Sequence, residues 1–457
     1  MPKHVALFLC LISFGCGDPQ PPPGALQTAR PHIVLITADA LRPDHLSVNG
    51  YARQTSPAID AFASHAWNFS EAVTVIPKTG PAFATMFSGR HPAEHGVRSN
   101  LHSVSNSTQM LAQILKQNGY RTAAFVGNPV LQPQLGYDRG FDKYQVLPSA
   151  DGVVTVEESF LPWARAGWDR PTFAWIHFLE PHGPYRPPEA FSAMFAEDEL
   201  EESDNRTAPL SYKPLPGATP NKVLGAIPLY QQIEDEDQLG VYIREYDAEI
   251  RYMDTAFSRI ISFLKQSGLY DQSIVIFAAD HGESLGEHDY YFEHGWFAYD
   301  ASLRIPLLIK EPHQTDGRTV AEQVSLLDFL PTVLALARVE TEQAEDGTNI
   351  LAPLNGDRAV IVENSDRYPE RYIGLRTRSM KYLRVESTGN EELYNLIDDP
   401  GEATNRVDVD NQALKVARER TAGLLERYHA RHSHTAAKPE THELKHLEEL
   451  RSLGYVR

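Results

Sequence analysis

The segment SIVIFAADHGESLGEHDYYFEHGWFAYDASLRIPLLIK, Ser273 to Lys310, constrains the fold more than any other stretch. Its opening run, Ser273 to Ala279, is rich in Ile, Val and Phe without polar alternation, the pattern of a strand buried on both faces. Such strands belong to sheets covered by helices on both sides, so an α/β fold is expected. The chain then turns abruptly polar, with Asp280, His281, Gly282 and Glu283 in a row. Ligands gather beyond the carboxyl ends of strands in open α/β sheets, where an Asp-His pair can aim a carboxylate and an imidazole at one cation. Taken alone, the pair reads equally as a strand-end Asp capping a helix beside an exposed His281. Glu293-His294-Gly295 brings a further imidazole, and Arg304 to Lys310 reads as a second buried strand.

A similar run, His32 to Ala38, also ends in a lone carboxylate, Asp39, so two strand-end aspartates need a common partner. Ser56 is placed to cap a helix opened by Pro57. In VIPKTGPAFATMFSGRHPAEHGVRSN, Pro81 can open a helix, which puts Thr79 just before a helix N-terminus, where backbone N–H groups attract anions, with Lys78 adding a positive charge. A threonine hydroxyl becomes a nucleophile when a divalent metal touches it beside such a helix end; otherwise Thr79 is an ordinary helix-start residue. Thr172 to Glu180 is another buried strand, and His182 just beyond it is either a structural or a substrate-facing imidazole. His288 supports His294, serves a second metal, or is an exposed loop residue.

With 457 residues, 42% of them apolar and 23% charged, the chain has room for one large domain and a smaller one. A net charge of -19 excludes a nucleic-acid partner, so an anionic substrate must be drawn in by local cations. The only cysteines, Cys10 and Cys16, lie in the first segment and leave no disulfide framework or Cys-based zinc site for the mature fold. Residues 1–16 read as an export signal whose end, Ser13-Phe14-Gly15-Cys16, resembles a bacterial lipobox. Lipid on Cys16 would hold the exported protein at a membrane, with the Pro-rich stretch 17–30 as tether. The catalytic domain is expected over 31–355. Within it, 196–238 reads as a polar insertion framing the pocket mouth, Leu239 to Gln266 as a long amphipathic helix, and Ser325 to Val339 as another helix. From 356 to 457, short strands and a helix from about Gln412 to Tyr428 form a small α+β lobe, followed by a solvated tail without chemistry.

The run LITADALRPDHLSVNGY resembles the first motif of the sulfatase-like family within the alkaline phosphatase superfamily. AADHGESLGEHDYYFEHG, with Tyr299 and RIPLLIK behind it, resembles the family's second metal motif. GYRTAAFVGNPVLQPQLGYDRGFD and HFLEPHGPYRPP are similar to the segments between, KYLRVESTGNEELYNLIDDPGEATN to the small C-terminal domain, and LRSLGYV to the common tail. The resemblance implies an α/β/α sandwich with a large mixed β-sheet and a small C-terminal α+β lobe. It also implies Asp39, Asp280 and His281 as metal ligands, and position 79 as a nucleophile that touches the metal. Sulfatases carry Cys or Ser there, oxidised to formylglycine. Thr79 cannot give that aldehyde, and Phe83 stands where the Arg of the modification motif belongs. The Lys and His of the segment after Gly-Tyr-x-Thr are absent too, with Gly127, Asn128 and Pro129 near their places. Pro77-Lys78-Thr79-Gly80-Pro81 is similar instead to the nucleophile segment of nucleotide pyrophosphatase/phosphodiesterases, and phosphoethanolamine transferases also use a metal-bound Thr. Their resemblance puts His294 beside the transferred phosphoryl group, and His182 matches the family's substrate-binding His.

The expectation is therefore a metal-dependent hydrolase of anionic phosphodiester or phosphonate esters. Thr79 attacks, and Lys78, His182 and His294 orient the substrate. An imidazole among carboxylates favours Zn or Mn, with Ca or Mg open, and no formylglycine is expected. The alternatives are a sulfuric ester hydrolase without formylglycine, a phosphoethanolamine-type transferase, and a catalytically silent glycan-binding lipoprotein.

Overall fold

His32–Ala38 and Ser273–Ala279, the two apolar runs that end in aspartate, lie side by side and parallel at the centre of one sheet. The computed structural model describes residues 30–147, 151–196, 206–210, 224–341, 346–354, 356–366, 368–431, 450, 452, 453 and 455. The sheet has eight strands, in the order Arg318–Val320, Trp67–Phe69, Leu307–Lys310, Ser273–Ala279, His32–Ala38, Thr172–Phe178, Arg121–Val126 and Lys143–Val146. Within it Leu307–Lys310 alone runs against the others, so the sheet is mixed. Register decides what gathers at its end: Ala38 lies opposite Ala279 on one side and Phe178 on the other. Three strands thus finish level, and the polar residues after each emerge together.

Helices cover both faces. Side chains alternate along a strand, so Phe277 and Trp175 lie on opposite faces of the sheet. Against the first packs the expected amphipathic helix Leu239–Gln266, whose Phe257 ring sits 5.2 Å from Phe277 and 5.5 Å from Phe62 of helix Pro57–Ala63. Its Tyr242 and Tyr246 are core, as their spacing predicts. Against the other face packs helix Thr79–Ser88, with Phe83 and Phe87 each within 4.9 Å of the Trp175 ring. The α/β/α sandwich is thus present. Beyond it, Ala359–Glu363, Tyr372–Thr377, Met380–Val385 and Glu391–Asn395 form a separate antiparallel sheet. Helix Asn411–Arg431 packs on this sheet through Leu414, Ala417 and Tyr428. Pro31–Arg457 form one compact unit, and no described helix is long and apolar enough to cross a membrane.

Several local expectations need correction. Ser56 precedes helix Pro57–Ala63 but makes no cap bond; its hydroxyl is drawn to Asp60 Oδ1 at 2.9 Å instead. The helix starts at Ala58 N and Ile59 N are satisfied from afar, each donating to Asp254 at 2.9 Å. Thr79 is the first residue of its helix, with Lys78 at the N-cap, because nothing breaks the helical path before Pro81. The returning strand begins at Leu307, since Arg304 turns aside to bridge Val73. The Ser325–Val339 segment is a short 3-10 turn, Leu326–Asp328, leading into helix Phe329–Ala337, the turn being closed by Asp328 accepting from Ser325 N at 2.8 Å. The lipobox and most of the 196–238 insertion lie outside the described residues.

Candidate active site

Asp39 and Asp280 each follow the last residue of a central strand, and both are fully buried, as is His281. The alternative of an exposed His281 beside a capping Asp is thereby excluded. The imidazole Nδ1 faces the Gly282 carbonyl at 2.9 Å, so Nδ1 carries the proton and Nε2 keeps its lone pair. That lone pair points into a cluster: Asp280 Oδ2 at 3.4 Å, Asp39 Oδ1 at 3.5 Å and Thr79 Oγ1 at 3.3 Å. The ligand atoms of Asp39, Asp280 and His281 all lie within 4.8 Å of one another.

The cluster has the chemistry of a cation site. Asp39 Oδ1 and Asp280 Oδ2 are buried and no hydrogen bond reaches either. Burial, and then the charge of Asp39, pushes Asp280 well above the usual carboxylate range. Burial works the same way on Asp39, but a hydrogen bond from His177 and the neighbouring His182 and His281 hold it below that range. Burial pushes the His281 imidazole down to about 3, so it is neutral, as a metal ligand must be. Two buried carboxylates with orphaned oxygens beside a neutral imidazole and a hydroxyl fit a divalent ion.

A second layer of side chains aims the ligands. Trp175 Nε1 donates to Thr37 Oγ1 at 2.9 Å, so the Thr37 hydroxyl proton goes to His177 Nδ1 at 3.0 Å. His177 Nε2–H then faces Asp39 Oδ2 at 3.5 Å. Asn128 reaches the same oxygen, its Nδ2 donating at 2.5 Å. Val130 N donates to Asn128 Oδ1 at 2.8 Å and so fixes which way that amide faces. Phe83, at the position of the missing arginine, packs edge-on against His177 at 4.9 Å.

Lys78 and two further imidazoles stand opposite. His294 Nδ1 donates to Glu283 Oε1 at 3.0 Å, which leaves Nε2 to accept from Lys78 Nζ, also at 3.0 Å. The His294 ring lies 4.1 Å from the His281 ring and 5.1 Å from the His182 ring. Thr79, Lys78, His182, His294, Asp39, Asp280 and His281 thus converge on one place. His288 does not join them; it stacks on Tyr299 at 3.7 Å in a separate narrow cleft beside Arg42 and Asp44. A cavity of about 800 Å³ opens beside His182, lined also by Glu180, Arg186, Tyr230, Glu249 and Leu453. Leu229 and Tyr230 are the described residues of the insertion that reach it. Burial pushes Glu180 up to about 7. Sequence reasoning missed His177, Glu283 and Tyr455. His177 was hidden inside an apolar strand, Glu283 was legible only as a neighbour of His281, and Tyr455 sits in a tail assigned no chemistry.

Comparison with known proteins agrees with this fold. The profile of the family described as Sulfatase matches residues 31–339, and that of N-sulphoglucosamine sulphohydrolase, C-terminal, matches residues 286–429. An ulvan-active sulfatase of Formosa agariphila is 25% identical over 425 residues, covering 83% of this chain and 77% of its own. A structure solved with its substrate D-glucosamine-2-N,6-O-disulfate aligns with a TM-score of 0.72 at 19% identity, covering 88% of this chain and 98% of that one. The phosphonate monoester hydrolase of Agrobacterium radiobacter aligns with a TM-score of 0.71 at 23% identity, covering 88% and 96%. Matched over most of its length by the family profile, the chain belongs to the sulfatase family.

Proposed function

We propose that this sulfatase-family hydrolase cleaves phosphodiester or phosphonate esters with Thr79 as nucleophile. The observation that carries the reading is the Thr79 hydroxyl at the head of its helix, 3.3 Å from His281 Nε2, the nitrogen that also faces Asp39 and Asp280. Asp39, Asp280, His281 and Thr79 would hold a divalent ion, Zn or Mn by donor type. Such an ion supplies activation of a hydroxyl at neutral pH and neutralisation of charge on the ester. Thr79 Oγ1 attacks phosphorus in line with the leaving oxygen, and the helix N-terminus faces the charge that develops. Lys78, held by His294, and His182 at the cavity wall orient the ester and its leaving group. Water or an alcohol then displaces the phosphoryl group from Thr79.

The nucleophile separates phosphate from sulfate. Formylglycine expels sulfate through its second hydroxyl; a sulfated threonine has none, whereas a phosphothreonine is open to in-line displacement. Phe83 in place of the modification-motif arginine supports the same reading. The phosphonate monoester hydrolase neighbour supports it at the level of fold. The test is turnover of a phosphonate monoester, a phosphodiester and an aryl sulfate by wild type, Thr79→Ala and Thr79→Cys, with mass analysis of the Thr79 peptide. Phosphorus esters should turn over faster than the sulfate, and Thr79→Ala should lose at least about a thousandfold while keeping its metal. Faster sulfate turnover that survives in Thr79→Ala would overturn both the substrate and the nucleophile. We also infer export with lipid on Cys16.

A further inference from the structure

The turn that follows the first central strand is strained and clamped. Ala40, directly after Asp39, is fully buried and has a φ of 58°, in the left-handed region that residues with a Cβ avoid. In this conformation Ala40 N donates to Asp280 Oδ1 at 3.3 Å, and His281 N donates to the same oxygen at 2.9 Å. One oxygen of Asp280 is thus held by two backbone N–H groups, while Oδ2 faces His281 Nε2 without a hydrogen bond.

The clamp is Tyr246, fully buried on helix Leu239–Gln266. A carbonyl oxygen can only accept, so the single phenol proton goes from Tyr246 Oη to Ala40 O at 2.8 Å. The same Oη accepts from Arg42 N at 2.9 Å. One hydroxyl therefore grips the turn at the left-handed residue and again at the N–H two residues on. Arg42 is tied in its turn to the loop after Asp280, with Nη1 donating to Glu283 O at 3.3 Å and to Glu287 Oε1 at 2.6 Å. We propose that Tyr246 is a positioning residue for the cation: its hydroxyl holds the Ala40 turn in the form that keeps Ala40 N on Asp280 Oδ1 and Oδ2 aimed at the ion. The proposal rests on Asp39, Asp280 and His281 as the ligands of that ion. Without the hydroxyl, Ala40 relaxes toward the conformations an alanine prefers, its N–H leaves Asp280, and the carboxylate is free to turn.

The helix carries its own control. Tyr242, one turn earlier and equally buried, makes the same pair of bonds to other backbone groups: its hydroxyl donates to Glu236 O at 2.9 Å and accepts from Ile233 N at 3.1 Å. Full-length wild type, Tyr246→Phe and Tyr242→Phe, each loaded with Zn or Mn, are titrated with a chelator, and their thermal midpoints are read in excess chelator. Tyr246→Phe should weaken metal binding by about tenfold to a hundredfold, the cost typical of losing a ligand's support. Tyr242→Phe should leave the affinity unchanged, although both variants lower the midpoint alike. Ala40→Gly added to Tyr246→Phe should restore part of the affinity, because glycine takes the left-handed turn without a clamp. Wild-type affinity in Tyr246→Phe would overturn the proposal and leave the ligands standing. An equal loss in both phenylalanine variants would overturn it too, as would a double variant no better than Tyr246→Phe. A wild type that binds no ion, or an Asp280→Asn variant that binds it as tightly, would remove the cation site and the role of Tyr246 with it.

Discussion

Gly282 has no room for a side chain: a Cβ there would sit 2.3 Å from the Ala301 carbonyl oxygen and 3.1 Å from that of Arg304. The carbonyl of the same residue holds His281 Nδ1, so the tight backbone and the ligand tautomer are one device. Gly282→Ala should therefore weaken metal binding by about tenfold to a hundredfold, the usual cost of disturbing a ligand's support. Asp280→Asn, which takes away a ligand charge, should abolish binding. Elemental analysis and competition with a chelator would check both, and full metal retention by Asp280→Asn would refute the site. The three candidate ligands could be named from the chain through its resemblance to the family's motifs, since the strand ends alone left Asp280 equally a helix cap. Thr79 could not be settled so, since a helix-start threonine is common and only its 3.3 Å approach to His281 distinguishes it. Phe83 shows the opposite case: its identity was informative before its packing on His177 was known.

Strand ends and one short helix do the positioning. The equal register of His32–Ala38 with Ser273–Ala279 places two aspartates side by side, a result that follows from pairing and not from either strand alone. The short helix Asp300–Leu303 ties the main sheet to the smaller one. Asp300, nearly buried, accepts from Arg376 Nη2 at 2.8 Å and meets Lys381 Nζ at 2.5 Å, both on strands of the small sheet. Arg376 and Lys381 are 1% and 0% exposed, so removing their shared anion strands two buried cations. These cations hold the Asp300 carboxyl below the usual range even against its burial. Asp300→Ala should cost about 3–5 kcal/mol, the range for breaking a buried ion pair from one side. It should sit toward the lower end, because Glu402 still meets Lys381 and Glu71 still meets Arg376. Denaturant unfolding measures it; a change below about 1 kcal/mol would mean water reaches the cluster.

Across the whole molecule, a chain of net charge -19 sets the Lys78 cation and the Thr79 helix end, with the imidazoles of His182 and His294 beside them, around one buried point, the local reversal that suits an anionic ester. The proposed lipid on Cys16 is tested on the whole protein: Cys16→Ser should move it from the membrane fraction to the soluble fraction, and unchanged fractionation would refute the lipid. The chain by itself determined the α/β class and the long amphipathic helix, which are written in local periodicity, and the resemblance of its motifs singled out Asp39, Asp280 and His281 and the departure of Thr79 and Phe83 from the formylglycine motif. Tertiary structure alone decided the rest. That Asn128 bridges Asp39 and a tyrosine 327 positions away depends on how a sheet end and a returning tail meet in space. No local pattern encodes such a meeting, since strand register, helix packing and buried donor counting are settled only when the whole core closes.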